Sequence, residues 1–304
     1  MSDMLAVVQF IHPSKEQTRH RDGYCEWNMA TRSDKAWPHR RKFLVCSASY
    51  LQHGRQRSGV VGFWGEWEGP TIVTHQEKAS DGKPRCHHIP AYYEPESYEG
   101  RLDTDPFVFG ERFLYCGCQQ HTAHNRPTGA VETFLRRLDV GSLILFGSTI
   151  GNPRSFVLDT AFVVGDFVDY PIGKFGGLRG KVPGEYYALS LHPQTVGNST
   201  CDSFRLYRSA TVQEPVHGMF SFTPCRPYVG AKTGFPRPRV KLPGLVTQNL
   251  TQGKKRTVMG SLDDVRHTWD EVVRQIAAKH ALAHYLALRP ILVEKETAWT
   301  TSTK

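Results

Sequence analysis

The segment from 61 to 68 constrains the fold more than any other part of the chain, because its side chains alternate as a half-buried strand requires. Successive side chains of a strand point to opposite faces. One face would carry apolar residues alone and is predicted to be core: Val61, Phe63 and Trp67. The other face would carry an aromatic ring beside two carboxylates, the composition of a polar pocket wall: Trp64, Glu66 and Glu68. We predict that the Trp64 ring is partly exposed in such a pocket.

Further strand-like segments predict an α+β, β-rich fold, built as a single domain over residues 1–304. The clearest local unit is a short helix over 128–138, followed by two apolar strands at 142–147 and 156–164. A loop with glycine and proline separates the two strands, so we expect them to form a hairpin.

Two more helices and two long loops are predicted. One short helix would run over 43–51, and an amphipathic helix capped by Ser261 would run over 261–288 and dock on the same domain. The glycine-rich stretch 173–184, which carries Lys174, Arg179 and Lys181, is predicted to be a loop. The second loop is a basic one, over 226–260.

The totals favour a cytoplasmic protein with an anionic partner. Seven cysteines are an odd number, which argues against a disulfide scaffold and for a reducing compartment. No stretch approaches the ~20 apolar residues of a membrane helix, so no membrane partner is expected, and the N-terminus lacks the pattern of a signal peptide. The net charge of +9 favours nucleic acid, nucleotides or acidic lipid, although solubility alone would also account for it.

The basic loop over 226–260 points to nucleic acid. No acidic residue lies between Glu214 and Asp263, and the prolines and glycines exclude a regular helix or a central strand. Such a loop suits a phosphate backbone; the alternative is a solvated linker. Together with a basic group near residue 40, it supplies the predicted phosphate-binding residues: Arg40, Arg41, Lys42, Arg237, Arg239, Lys254 and Lys255.

These features predict a nucleic-acid-binding protein that recognises a single-stranded or extruded base through an aromatic and acidic pocket. Aromatic rings stack on unpaired bases, at ~1–3 kcal/mol per base. Trp64 would provide the stacking ring, and Glu66 would accept hydrogen bonds from a base amino group.

Four carboxylates support an alternative, a metal-dependent nuclease or nucleotide hydrolase. Phosphodiester cleavage with a divalent cation needs clustered carboxylates, and the candidates are Glu66, Glu68, Asp105 and Asp159. Asp159 lies among apolar residues of a predicted strand, so it is either buried with a partner or on an open face. The chain has no GxSxG elbow and no P-loop, and the cofactor that this alternative implies is a divalent metal.

A second alternative is a zinc-stabilised interaction protein with protein partners that the sequence does not identify. Cys116 and Cys118 are followed by His121 and His124, which are soft and borderline ligands close together. Their spacing is not that of a standard zinc finger. Two ordinary buried cysteines in a polar loop would give the same pattern.

The segment from Phe134 to Val164 resembles the PUA-like superfamily, which includes the EVE and ASCH domains. In those domains a short helix leads through glycine into a barrel strand, and here Gly141, Ser142, Leu143 and Phe146 match that pattern, with Ser142 where an Asp is common. The resemblance implies a PUA-like mixed barrel, with added strands, whose aromatic-lined pocket accepts a modified base. It implies no catalytic residues.

The whole chain also resembles a family of uncharacterised bacterial proteins, a resemblance that implies no activity. The motifs that carry it are HRRKF, FWGEWE, TDPFVFGERF and GMFSF. Phage defence is a setting in which a reader of modified bases would be useful, although no residue points to it.

Overall fold

The computed structural model shows two mixed β-sheets with few helices. It describes residues 4–11, 19–21, 24–26, 40–76, 83–84, 86–91, 104–121, 131–150, 155–197, 201–243 and 257–288. The coarse prediction of a β-rich α+β fold is confirmed.

The first sheet has six strands. They are β1 (Ala6–Ile11), β8 (Leu114–Tyr115), β9 (Leu143–Ile150), β10 (Ser155–Pro171), β11 (Ser203–Ser209) and β13 (Thr257–Met259). Their order is β13-β1-β9-β10-β11-β8, with β1 and β9 parallel and the other neighbours antiparallel. The predicted hairpin is therefore formed by β9 and β10. A bulge between Leu158 and Thr160 leaves Asp159 without a partner in the β9–β10 register.

The second sheet has eight strands. They are β2 (Arg19–Arg21), β3 (Tyr24–Glu26), β4 (Arg40–Gln52), β5 (Arg55–Glu66), β6 (Thr71–Gln76), β7 (Cys86–Pro90), β12 (Thr223–Pro227) and β14 (Ala281–Leu286). Six of these strands follow the order β14-β12-β5-β4-β3-β2, and β14 also pairs with β4. The long β4–β5 hairpin turns at His53 and Gly54, whose φ angles of 51° and 72° suit a two-residue hairpin turn.

The helices are short except for one. They are α1 (Gly184–Tyr186), a π turn (Tyr187–Leu191), α2 (His192–Gly197) and α3 (Leu262–Ala277), with 3-10 turns at Phe134–Arg136, Ile172–Leu178 and Ala231–Thr233. None of the described helices is both long and apolar enough to cross a membrane.

Three helix predictions are wrong in part or in full. The C-terminal helix ends at Ala277 rather than at 288, and residues 281–286 form β14. The predicted helix over 43–51 is the strand β4. Within the described part of 128–138, the helix is a single 3-10 turn, capped by the Thr133 hydroxyl. At α3, by contrast, the predicted cap is confirmed, because Ser261 and Asp264 form a reciprocal capping box.

Two large clusters of buried side chains form the core. The larger one contains Phe63 and Trp67, as the alternation of the β5 segment predicts, together with Phe10 and Tyr115. The second cluster lies between the first sheet and the apolar face of α3. The described strands do not close into the barrel that the PUA-like resemblance implies.

Candidate nucleic-acid interface

The Trp64 side chain is buried, so the prediction that its ring is partly exposed is wrong. Its exposed fraction is 6%, and it packs in a small cluster with Phe43 and Phe235. The indole Nε1 donates a hydrogen bond to the carbonyl oxygen of Phe235 at 2.8 Å. Residues 226–243 of the basic loop therefore cover the strand face that was predicted to hold a base.

Beside Trp64, the same face carries a buried ion cluster, which we define as Arg41, Glu66, Asp159 and Arg237. Arg237 donates to both oxygens of Asp159, from Nε at 3.0 Å and from Nη2 at 2.7 Å. Arg41 Nη1 lies 2.5 Å from Asp159 Oδ2, and its Nη2 lies 3.9 Å from Glu66. The bulge in β10 supplies the acid at the centre, and the cluster joins the two sheets.

Burial of these cations contradicts several predicted phosphate contacts. Arg41 and Arg237 form buried ion pairs with Asp159. The buried Lys42 donates a hydrogen bond from Nζ to the carbonyl oxygen of Gly69 at 3.1 Å. Buried charges must be paired because desolvation is costly, so these three cannot also reach a phosphate outside. Arg239 is exposed. The Arg40 side chain, Lys254 and Lys255 lie outside the described residues.

Three of the four predicted catalytic acids meet at one cavity. Glu66, Asp105 and Asp159 line it, whereas the buried Glu68 does not. The volume of the cavity is about 10 Å³, which is room for at most one water molecule. Asp105 accepts hydrogen bonds from the Cys116 amide and from Gln194 Nε2. Three of the acids therefore share one cavity, but no group of acids in the described part of the chain could hold a metal ion, and the space does not admit a nucleotide.

The predicted zinc ligands do not assemble within the part of the chain that the structure describes. No three His, Cys, Asp or Glu side chains meet there in a way that could hold a metal ion. Cys116 and Cys118 are buried, and the His121 ring packs edge-on against Phe204 at 5.0 Å. His124 lies outside the described residues.

The structure also has an open groove that the sequence did not predict. This open groove has a volume of about 680 Å³ and is bounded by the β4–β5 hairpin, the end of β14 and the segment that contains α1. Glu185 is the one charged residue among the described residues that line it. Its other walls are apolar or small, and they include Val60, Phe109 and Tyr285.

A second cavity adjoins the open groove. This polar cleft has a volume of about 360 Å³ and shares Ser49 and Tyr285 with the groove. Its remaining lining is polar: Gln56, Glu111, Arg112, Thr211, Gln213, Glu214 and His284. The Arg112 guanidinium is already paired, with Asp166 at 3.2 Å and with Glu214.

One wall of the open groove belongs to a segment with aromatic rings and exposed cations. Pro183 and Glu185 line the groove, and the surrounding residues 172–192 carry stacked rings of Phe175 and Tyr187, 6.2 Å apart, with His192 against both. Lys174, Arg179 and Lys181 of the same segment are exposed.

At another wall of the groove, the β5 residues that line it follow directly on the exposed Arg55 and Arg57. A glycine-rich stretch with interspersed cations was the sequence signal for the first wall. The second wall had no such signal, because its residues come together only when the β4–β5 hairpin folds beside β14. Comparison of the chain with family models, with curated proteins and with solved structures finds no match.

Proposed function

We propose that this protein binds single-stranded nucleic acid, and that the strand lies in the open groove rather than against Trp64. One observation carries the proposal: an open apolar groove of about 680 Å³ has exposed cations and aromatic rings on the chain segments that form its walls. Grooves of this kind bind single strands without pairing, since bases stack on rings while cations hold the backbone.

Charge complementarity favours a polyanion over an apolar ligand. Arg55 and Arg57 flank one wall, and Lys174 and Lys181 lie on the segment that forms the other. The net charge of +9 adds a general attraction for polyanions. Glu185, within the groove, opposes phosphate at that point, so the backbone would run along the rims and the bases would face the floor.

The PUA-like resemblance supports the same class of ligand. The matching segment contains β9 and the first part of β10, and members of that superfamily accept a modified base in an aromatic-lined pocket. The recognised group is still a base, but it binds in the open groove and not at the covered face that contains Trp64.

The test measures binding of a fluorescein-labelled oligothymidylate of about 20 nucleotides by anisotropy as salt is raised. The logarithm of the association constant should fall linearly with the logarithm of salt concentration. Replacing both Lys174 and Lys181 by Gln should weaken binding and reduce the slope by about 1.4, because each phosphate contact on a single strand contributes about 0.7.

The matched control removes two exposed charges elsewhere, Arg266 and Lys279, which line neither the groove nor the cleft. This double variant should bind with nearly the slope of the unmodified protein. Absence of binding, binding that ignores salt, or equal losses in the two double variants would each contradict the proposed interface.

A further inference from the structure

His284 occupies an irregular position at the edge of the polar cleft. In the β14–β4 pairing, Ala283 is opposite Tyr50 and Tyr285 is opposite Ser49, so His284 has no partner in the register. A bulge of this kind turns a side chain away from the direction that regular alternation would give it. His284 is one of the residues that line the cleft, although only 5% of it is exposed.

The imidazole of His284 is buried and has a ring nitrogen, Nε2, without a hydrogen-bond partner among the described residues. Burial lowers the pKa of His284, which keeps the ring neutral at pH 7, with one nitrogen as donor and the other as acceptor. Buried polar atoms of native proteins are nearly always satisfied, by water or by a ligand if not by the chain itself.

The other groups of the cleft favour a neutral hydrogen-bonding ligand over a phosphate. Gln56, Gln213 and Thr211 are uncharged side chains that offer donors and acceptors together. The cation in the cleft, Arg112, is held by Asp166 and Glu214 and brings no uncompensated positive charge. Base edges present the same mixture of donors and acceptors, and proteins read unstacked bases through such contacts.

The cleft and the groove adjoin each other at Ser49 and Tyr285. Tyr285 lines both cavities, and 37% of it is exposed, so its ring is open to stacking at the junction. A strand that follows the groove would pass the mouth of the cleft, and one of its bases could turn in.

We propose that the polar cleft is a nucleobase-binding site, in which His284 hydrogen-bonds the edge of one base of the single strand held in the groove. The inference rests on the proposed function and adds to it a place where base identity is read. It assigns phosphate recognition to the groove rims and base recognition to His284, Gln56 and Gln213.

The experiment compares labelled homopolymers of adenine, cytosine and thymine, and an abasic strand of equal length, on the full chain and on His284→Phe. The unmodified protein should rank the three bases and bind the abasic strand most weakly. His284→Phe keeps a ring of similar size but loses the hydrogen bond, so affinity for the preferred base should fall about three- to tenfold, with the salt slope unchanged.

The outcomes separate the two proposals. If the unmodified protein binds all strands equally, or if His284→Phe keeps the ranking, the base site is wrong and the groove remains. If no strand binds, both are wrong. Gln213→Ala, at an exposed position, should also reduce the differences in affinity between the bases. This variant tests the base site if His284→Phe fails to fold.

Discussion

Arg237 and Asp159 are joined by two hydrogen bonds, of 2.7 and 3.0 Å, although they lie in the basic segment and in β10 of the first sheet. Both side chains are buried, and Arg237 Nη1 also donates to the Ser148 hydroxyl at 2.7 Å. The pair therefore ties residues 226–243 to the first sheet. Arg237 of the basic loop therefore has a structural role.

Replacing Asp159 by Asn should destabilise the protein strongly. The substitution keeps the shape of the side chain but leaves Arg41 and Arg237 buried without their common counter-charge. Breaking a buried pair in this way costs about 3–5 kcal/mol, which urea unfolding would measure. The control, Asp270→Asn, breaks the exposed Arg266–Asp270 pair at 4.0 Å and should cost at most about 1 kcal/mol. Equal effects of the two substitutions would contradict a structural role for the cluster.

Trp64 should matter for stability and not for binding. Trp64→Ala empties a buried site against Phe43 and Phe235 and should lower the free energy of unfolding by about 3–5 kcal/mol. Trp64→Phe should cost less, since it removes chiefly the hydrogen bond to the Phe235 carbonyl. Measured on folded protein, oligothymidylate affinity of Trp64→Phe should equal that of the parent. If Trp64→Phe were as stable as the parent but bound oligothymidylate more weakly, Trp64 would have to be part of the binding site.

Gly147 should tolerate no side chain. It lies in β9 between β1 and β10, and an added Cβ would collide with the carbonyl oxygen of Val157 and with the Phe156 ring. Gly147→Ala should therefore destabilise the protein by about 1–3 kcal/mol in thermal or urea unfolding. Gly177→Ala is the matched control, because a Cβ there meets only open space, and it should change stability by less than about 0.5 kcal/mol.

Stability should fall as the pH is lowered from about 6.5 to about 4, partly through His280. Its pKa is lowered from 6.5 to about 4, chiefly by burial and then by the nearby Arg226 charge. Between these pH values His280 binds a proton in the unfolded chain but not in the folded chain, so lower pH favours unfolding. Above pH 6.5 this group has no effect on stability. His88, with a pKa lowered to about 3, acts in the same direction.

Unfolding midpoints in urea across this pH range would check the effect. His280→Gln removes one of the titrating groups, so its stability should depend less steeply on pH between about 4 and 6.5. A slope identical to that of the unmodified protein would show that His280 titrates alike in both states.

Some structural features that depend on neighbouring residues in the sequence were predicted correctly. The alternation in β5 placed Phe63 and Trp67 in the core, and the apolar runs predicted the β9–β10 hairpin. The run at 281–286 was ambiguous, since a short apolar stretch suits a helix or a strand. It became β14 because β12 and β4 offer it partners on both sides.

The errors at the site arose from distant contacts. Trp64 is covered by Phe235, which lies far away along the chain, so nothing near residue 64 indicated its burial. The bulges that turn Asp159 and His284 out of regular alternation leave no trace in the residue types around them. Three of the four candidate acids line one cavity, but no group of acids among the described residues could hold a metal ion, and the cavity has room for at most one water molecule.

The pairing of β14 with β4 brings together strands from opposite ends of the chain, which sets the order in which the molecule can be assembled. During synthesis β4 and β5 leave the ribosome early, whereas β12 and β14 are made much later. Contacts this distant in sequence slow folding, and unpaired strand edges promote aggregation while they wait. We therefore expect truncation before residue 281 to yield an aggregating product, and nascent chains of this protein to depend on chaperones.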